Sequence, residues 1–250
     1  MAVYPRGQMI NPIDDLNRLR SEYSDRAQRH GNAQKYSSFN ITHLFIHQQR
    51  ERQILRMLKT EGLTSLSDLD ILEVGCGQGG VLFDLIKYDA EPGRCTGFDL
   101  LHNSLTSARL RLPSSHLYCA DGQCTPFQAC QFDLILQFTA FSSVLNSQIK
   151  TNMAAEMLRV LKPDGAILWY DFWWNPTNPH TAGIKPKEIK ALFPDCEFVF
   201  RKITLAPPIA KLVVPLSWPL AILLESLNVF NSHYLVLIKK SPRIIKSFQK

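Results

Sequence analysis

The sequence predicts an α/β fold, a mostly parallel sheet with helices on both faces. Two observations carry that expectation. Ile71-Leu72-Glu73-Val74 reads as a short buried strand running into the glycine-rich turn Gly75-Cys76-Gly77-Gln78-Gly79-Gly80 and then a helix. Beyond it, strand-like apolar runs alternate with segments of helical periodicity, the pattern of a parallel sheet covered on both sides.

Taken in order, residues 1–40 are polar, with Arg18, Arg20, Arg26 and Arg29 interspersed among Asp14, Asp15, Glu22 and Asp25. They suggest a mobile or partly helical lead-in or cap. Ser37-Ser38-Phe39-Asn40 supplies capping side chains for a helix over about Ile41 to Glu61, which Gly62 ends. Strand 1 is expected over Asp70 to Val74, then a helix over Val81 to Tyr88. Strand 2 covers Arg94 to Phe98, followed by a helix from Ser104 to Leu112 and a short strand 3, His116 to Cys119. Strand 4 is Phe132 to Gln137, followed by a helix from Gln148 to Leu161. Lys162-Pro163-Asp164-Gly165 has turn composition and precedes strand 5, Ala166 to Asp171. A helix over Pro186 to Leu192, a strand from Glu197 to Ile203 and a last strand from Tyr234 to Lys239 complete the set, seven strands in all. The reading is one domain over 41–250, with its core at 70–172, acceptor-side and lid segments at 173–230 and the last strand at 234–239.

Composition bounds the answer loosely. A hydrophobic content of 45% is enough for a buried core. A net charge of +6 permits an anionic partner without requiring one. The six cysteines form no C-x-x-C pair and no zinc spacing, so no metal is expected, and they read as free thiols of a reducing cytoplasm. Met1 to Ile10 lacks the apolar core of a signal peptide, and no run of about 18 apolar residues suggests a membrane span.

The chemistry starts at the glycine turn. A helix begins just after it, so free backbone N–H groups face whatever sits over the turn. Gly75-x-Gly77-x-x-Gly80 formally fits a dinucleotide fingerprint, a weak signal alone. Gly75-x-Gly77-x-Gly79 preceded by Glu73 is the sharper pattern. A carboxylate beside the loop suits a cationic ligand and would repel a pyrophosphate. Asp99 ends strand 2, roughly 22 residues after Gly77, the spacing at which an acidic side chain grips ribose hydroxyls in either chemistry. No tyrosine has a lysine four residues on, which leaves a short-chain dehydrogenase without its catalytic pair.

With Glu73 and the glycine turn, Asp99, Cys119-Ala120-Asp121-Gly122, strand 4 and Arg159-Val160-Leu161-Lys162-Pro163-Asp164-Gly165 in order, the stretch from Asp70 to Phe172 resembles the class I S-adenosylmethionine (SAM) methyltransferases, a Rossmann-like fold. The chain further resembles a little-characterised bacterial group, often associated with glycan or secondary-metabolite biosynthesis. The shared stretches are Tyr36-Ser37-Ser38-Phe39-Asn40, Gln137-Phe138-Thr139-Ala140-Phe141-Ser142-Ser143, and Trp169-Tyr170-Asp171-Phe172 followed by Asn175-Pro176-x-Asn178-Pro179.

The resemblance implies SAM as cofactor, held by Tyr36, Glu73, Gly75, Cys76, Gly77, Gly79, Asp99, Leu100, Asp121, Gly122 and Gln137, with Asp121 at the adenine amino group. Ligands of open α/β sheets bind beyond the carboxyl ends of the strands. Thr139, Trp173, Asn175 and Asn178 are therefore expected at the acceptor, with Asp171 and His180 as candidate bases. The implied activity is methyl transfer to a hydroxyl of a small molecule or glycan. An N- or C-methyltransferase and a SAM-binding regulatory protein without turnover remain the alternatives, and oligomeric state stays open. Strand 4 lacks an Asp-Pro-Pro-Tyr-like tetrapeptide, so DNA amino-methylation is not expected, and no nucleic-acid partner is expected. Leu205 to Phe230 is apolar and interrupted by Pro207, Pro208, Pro215 and Pro219, which forbid one continuous helix. A helix over Trp218 to Leu227 is allowed. The segment is expected to roof the acceptor pocket; the alternative is weak peripheral membrane contact.

Overall fold

The protein is described by a computed structural model covering residues 11–28, 37, 39–175, 178 and 180–241. Seven strands form one sheet: β1 (Ile71–Val74), β2 (Cys95–Asp99), β3 (His116–Cys119), β4 (Phe132–Phe138), β5 (Leu161–Phe172), β6 (Cys196–Leu205) and β7 (Asn231–Lys240). Their order is β3-β2-β1-β4-β5-β7-β6. All neighbours through β5 pair parallel, while β7 runs antiparallel between β5 and β6. The chain leaves β1 toward β2 and β3, then returns to the other side of β1 as β4. The connections after β1 and β4 therefore diverge, opening a crevice at their carboxyl ends.

Alternation along the strands sends side chains to two cores. Leu134 and Leu136 of β4 meet Leu168 of β5, Leu82 and Leu85 of helix α3 (Gly80–Lys87), and Ile54, Met57 and Leu58 of helix α2 (Ile41–Thr60). Ile135, Ile167 and Trp169 face the other way, onto Met153, Met157 and Val160 of helix α5 (Ser147–Val160) and Ile189 of helix α6 (Pro186–Leu192). Helix α4 (His102–Arg111) lies between β2 and β3 in the chain. Asn40 caps α2 as its composition suggests, its side chain accepting from the backbone N–H groups of Thr42 and His43.

Two segments differ from the sequence expectation. Residues 162–165, turn-like by composition, belong to β5, which begins at Leu161 paired with Phe132 across a register shift. Lys162 ties this irregular entry to its neighbours, its ammonium 2.7 Å from Asp133 and 2.9 Å from Asp70. Residues 206–230 form helices α7 (Pro207–Val213) and α8 (Trp218–Ser226), broken where the prolines require. They pack through Ala210, Val214 and Ala221 on Phe45 of α2 and Leu205 of β6, and none of their residues lines the crevice.

The polar lead-in instead contains a 17-residue helix, α1 (Pro12–Gln28), and it is α1 that covers the crevice. Leu19 enters the core and Asp15 is fully buried. The Asp15 carboxylate accepts from the N–H groups of Leu145 and Asn146, both at 2.8 Å, and pairs with Arg18 at 2.7 Å. Hydrogen bonds to an ionised acceptor contribute roughly 1.5–3 kcal/mol each. Asp15→Ala is therefore expected to release α1 first: hydrogen–deuterium exchange should rise across Pro12–Gln28 while β1 and β4 stay protected. Unchanged exchange in α1 would mean that apolar contact alone holds it.

Candidate cofactor and acceptor site

The crevice is a cavity of about 680 Å³, within the size range of small-molecule sites. One half is built by the turn after β1 and the ends of β2 and β3: Gly75, Gly77, Gln78, Asp99, Leu100, Asp121 and Gly122. The other is mostly apolar, with Leu16, Leu19 and Tyr23 from α1, Phe138 from β4, and Ile149 and Met153 from α5.

Gly77 has φ +52°, and a Cβ added to it would meet nothing within 4 Å. A side chain there would be strained and would project into open space, the geometry of a backbone kept bare for a close ligand. Its N–H donates to Asp99 Oδ2 at 2.8 Å, and the N–H of Leu101 donates to Asp99 Oδ1 at 2.9 Å. Each carboxylate oxygen keeps a second lone pair, so Asp99 can still receive two hydroxyls of a ribose. Burial raises its pKa, opposed by these backbone bonds. Asp121 is fixed by Gln123, whose N–H and Nε2 donate to its two oxygens at 2.9 and 3.1 Å. Open backbone at Gly77 and the Asp99 acceptors thus fit an adenosine-bearing group.

Gly79 caps α3 in the left-handed conformation, φ +74°, with no side chain to satisfy the helix's free N–H groups. Glu73 does that instead: buried on β1, its Oε2 accepts from Leu82 N at 3.2 Å. Burial pushes Glu73 up to about 8, against the lowering effect of that bond, with the Asp99 charge adding to the rise. Burial thus favours its neutral form, in which it anchors the helix, and works against the charge argument made for it from sequence. Cys76 is likewise buried, its sulfur against Gly97 of β2.

Of the residues singled out in the sequence, Gly75, Gly77, Asp99, Leu100, Asp121, Gly122 and Thr139 line the cavity. Glu73, Cys76, Gly79, Gln137, Asp171, Trp173, Asn175, Asn178 and His180 do not. Tyr36 lies outside the described residues. Asp171 is buried at the end of β5, accepting from Gln137 Nε2 at 3.0 Å, Ser142 N at 3.1 Å and Phe172 N at 2.9 Å. Burial pushes it up to about 6, against hydrogen bonds from Ser142 and Gln137. It braces the turn Phe141–Ser143 that follows β4. His180 turns toward α1, its Nε2 3.6 Å from Glu22. Trp173 donates to the Asn231 carbonyl and carries Lys202 over its ring, while Asn178 accepts from His180 N.

The residues missed from sequence are on α1. Arg18 donates to the carbonyls of Ser143 and His180 at 2.6 and 3.2 Å, and the Tyr23 hydroxyl lies 2.8 Å from Ser143 Oγ. A signal was there: Pro12 and two acidic residues open the helix, and Leu16, Leu19 and Tyr23 recur at helical spacing.

Outside the cavity, His47, Glu51 and Asp84 bring ligand-type atoms within 4.8 Å of one another. Lys87 already sits 2.8 Å from Asp84, with Arg50 at 3.5 Å. The group works as an ion network tying α2 to α3.

Residues 71–165 match a family described as a methyltransferase domain. Phthiotriol/phenolphthiotriol dimycocerosates methyltransferase 1 of Mycobacterium ulcerans is 31% identical over 122 residues, 48% of this chain and 43% of that protein. The chain spans less than half the length of the curated relatives it matches. Among solved structures, the 1,6-didemethyltoxoflavin-N1-methyltransferase of Burkholderia thailandensis, with 1,6-didemethyltoxoflavin and S-adenosylhomocysteine bound, superposes with a TM-score of 0.60 at 13% identity, covering 95% of this chain and 93% of that one. Phosphoethanolamine N-methyltransferase 1 of Haemonchus contortus, with phosphoethanolamine and S-adenosylhomocysteine, gives 0.63 at 13% identity over 93% of this chain and 51% of that one. These likenesses establish the fold as the Rossmann-like class I methyltransferase fold.

The buried Glu73 gives a pH signature. Its folded pKa lies above the unfolded value, so the folded state keeps a proton that the unfolded chain releases, and stability falls as pH rises from about 4.5 to about 8. Glu73→Gln removes that dependence. Its melting temperature relative to wild type is expected to climb between about pH 4.5 and 8 and to level off above that; a difference independent of pH would place a charged Glu73 in the fold.

Proposed function

We propose that this chain, whose residues 71–165 form a methyltransferase domain, is a SAM-dependent methyltransferase acting on a hydroxyl of an apolar small molecule. The observation that carries this is the division of one cavity into a glycine-and-aspartate half and an apolar half that share the carboxyl edge of β1 and β4. Gly75, Gly77, Asp99, Leu100, Asp121 and Gly122 would hold SAM, which brings an activated methyl group on a sulfonium. The rest of the catalysis is placement of the acceptor by this chain's own residues.

Leu16, Leu19, Tyr23, Phe138, Ile149 and Met153 suit a flat or aliphatic acceptor better than a glycan. Thr139, Tyr23 and Ser143 offer hydroxyls to orient its oxygen. Among the described lining residues the carboxylates are Asp99 and Asp121, both in the cofactor half, and no imidazole lines the cavity. An acceptor that loses its proton readily, a phenol or an enol, therefore fits better than an aliphatic alcohol. Asp171 acts as a positioning residue in this reading, holding Gln137 and the turn that carries Thr139 to Ser143. His180 belongs to the latch of α1. The free state of all six cysteines is in keeping with a reducing cytoplasm.

The test is methyl transfer from labelled SAM to phenolic and to alcoholic acceptors across pH. Rates should rise through the acceptor's own pKa. Loss of a true general base costs about 10²–10⁴ in rate. His180→Ala should keep kcat within a few-fold, and Asp171→Asn should lower kcat without moving the pH profile. A profile that loses its rising limb in Asp171→Asn would make Asp171 the base after all. A chain that binds SAM and transfers to no acceptor would favour a regulatory protein.

A further inference from the structure

The segment 206–230 presents its apolar side to solvent. On α8, Ala221 and Glu225 face inward, while Leu220, Leu223 and Leu227 are exposed by 44, 56 and 55% along the opposite stripe. The connection between α7 and α8 adds Leu216, 85% exposed, and the loop into β7 adds Val229, 72% exposed. Exposed apolar side chains gathered on one short segment mark an interaction site. Its charge is one-sided. Lys211 and Glu225 are the charged residues between Ala206 and Phe230, and Glu225 is buried, accepting from Thr204 N at 3.1 Å.

Beside the stripe lies a second cavity, of about 490 Å³, whose wall on the α8 side is Ile222, Ser226 and Asn228. Arg52 and Arg56 of α2 and Arg201 and Lys202 of β6 line it, facing a single carboxylate, Glu225. A rim of cations next to exposed leucines complements a surface that is anionic at its face and apolar beneath. β6 runs antiparallel to β7, as β5 does, so α7 and α8 leave the sheet on the edge where the carboxyl ends of β1, β4 and β5 lie.

We propose that α7 and α8 dock this chain onto an anionic lipid bilayer. The Leu216, Leu220, Leu223 and Leu227 side chains enter the acyl boundary, and the Arg52, Arg56, Arg201 and Lys202 cavity receives anionic headgroups. Helices that lie in the interface bind by this sum of apolar burial and charge. Docking turns the sheet edge that carries the cofactor cavity toward the bilayer. Among the described residues no helix is long and apolar enough to cross a membrane, so the attachment is peripheral and reversible.

Co-sedimentation of the full chain with vesicles tests this. Binding is expected to vesicles of phosphatidylcholine with about 30% phosphatidylglycerol, and to fall by roughly tenfold or more with pure phosphatidylcholine or with added salt. Leu220→Glu with Leu223→Glu should abolish it. Arg52→Glu with Arg56→Glu should weaken it by about tenfold. All four positions are exposed, so the leucine variant is expected to melt as wild type does, and since Arg52 offsets the Glu225 charge, Arg52→Gln with Arg56→Gln serves as the fold-sparing control for the arginine pair. The proposal is overturned by wild-type protein that stays in the supernatant with every vesicle at low salt. Binding that survives both variants overturns it equally. So does a solution dimer that the leucine pair breaks, which would make the stripe an interface between copies.

Discussion

The hydrogen bond from Gly77 N to Asp99 ties two strand ends together, and the geometry of the cavity depends on it. The turn after β1 can take its left-handed path only with glycine at Gly75, Gly77 and Gly79, and a turn of glycines has no side chains to hold itself. Its order is imported. Asp99 from β2 fixes Gly77 and Leu101, the Phe98 carbonyl fixes Cys76 at 2.9 Å, and Glu73 from β1 fixes the first turn of α3. The turn is thereby placed by the sheet, and with its Cys76 and Gly77 N–H groups spent on that, the features left for a ligand are bare backbone and the remaining lone pairs of Asp99.

The acceptor half depends on a different kind of restraint. The loop after β4 is braced from below by Asp171, through Ser142 N and Gln137, and from above by α1, through Arg18 and Tyr23 on Ser143. The two braces differ in character. Asp171 is enclosed by the sheet, whereas α1 is joined to the core through Leu19, the Asp15 carboxylate and a few hydrogen bonds, the sort of attachment that opens locally before the rest of a fold.

Much of the fold was legible in the sequence because strand–turn–helix chemistry is local. The glycine turn, the apolar runs of β4 and β5 and the cap at Asn40 each announce themselves within a few residues. The glycine-and-aspartate half of the cavity was legible for the same reason: Gly77, Asp99 and Asp121 lie at or just past strand ends. The acceptor half was not, because it is made by contacts across the chain, such as Tyr23 to Ser143 and Asp15 to Leu145. The amphipathic stripe of α1 was visible among its charges but pointed to no partner. Asp171 and His180 were expected beside the acceptor, and only packing reveals that one ends β5 enclosed by donors and the other is turned to Glu22. Glu73 shows the same limit: its position near the loop was plain, while its burial, and hence the bias toward its neutral form, belongs to the tertiary structure.

Cofactor binding tests the central claim most directly. Calorimetric titration of the purified chain with SAM should give one site per chain, and NAD should give no heat of binding. Asp99→Ala should weaken SAM by about 10- to 100-fold, and Gly77→Arg, which fills the open space at the turn, should abolish binding, with both variants melting as folded proteins. SAM affinity unchanged in both variants, or NAD binding tighter than SAM, would contradict the account.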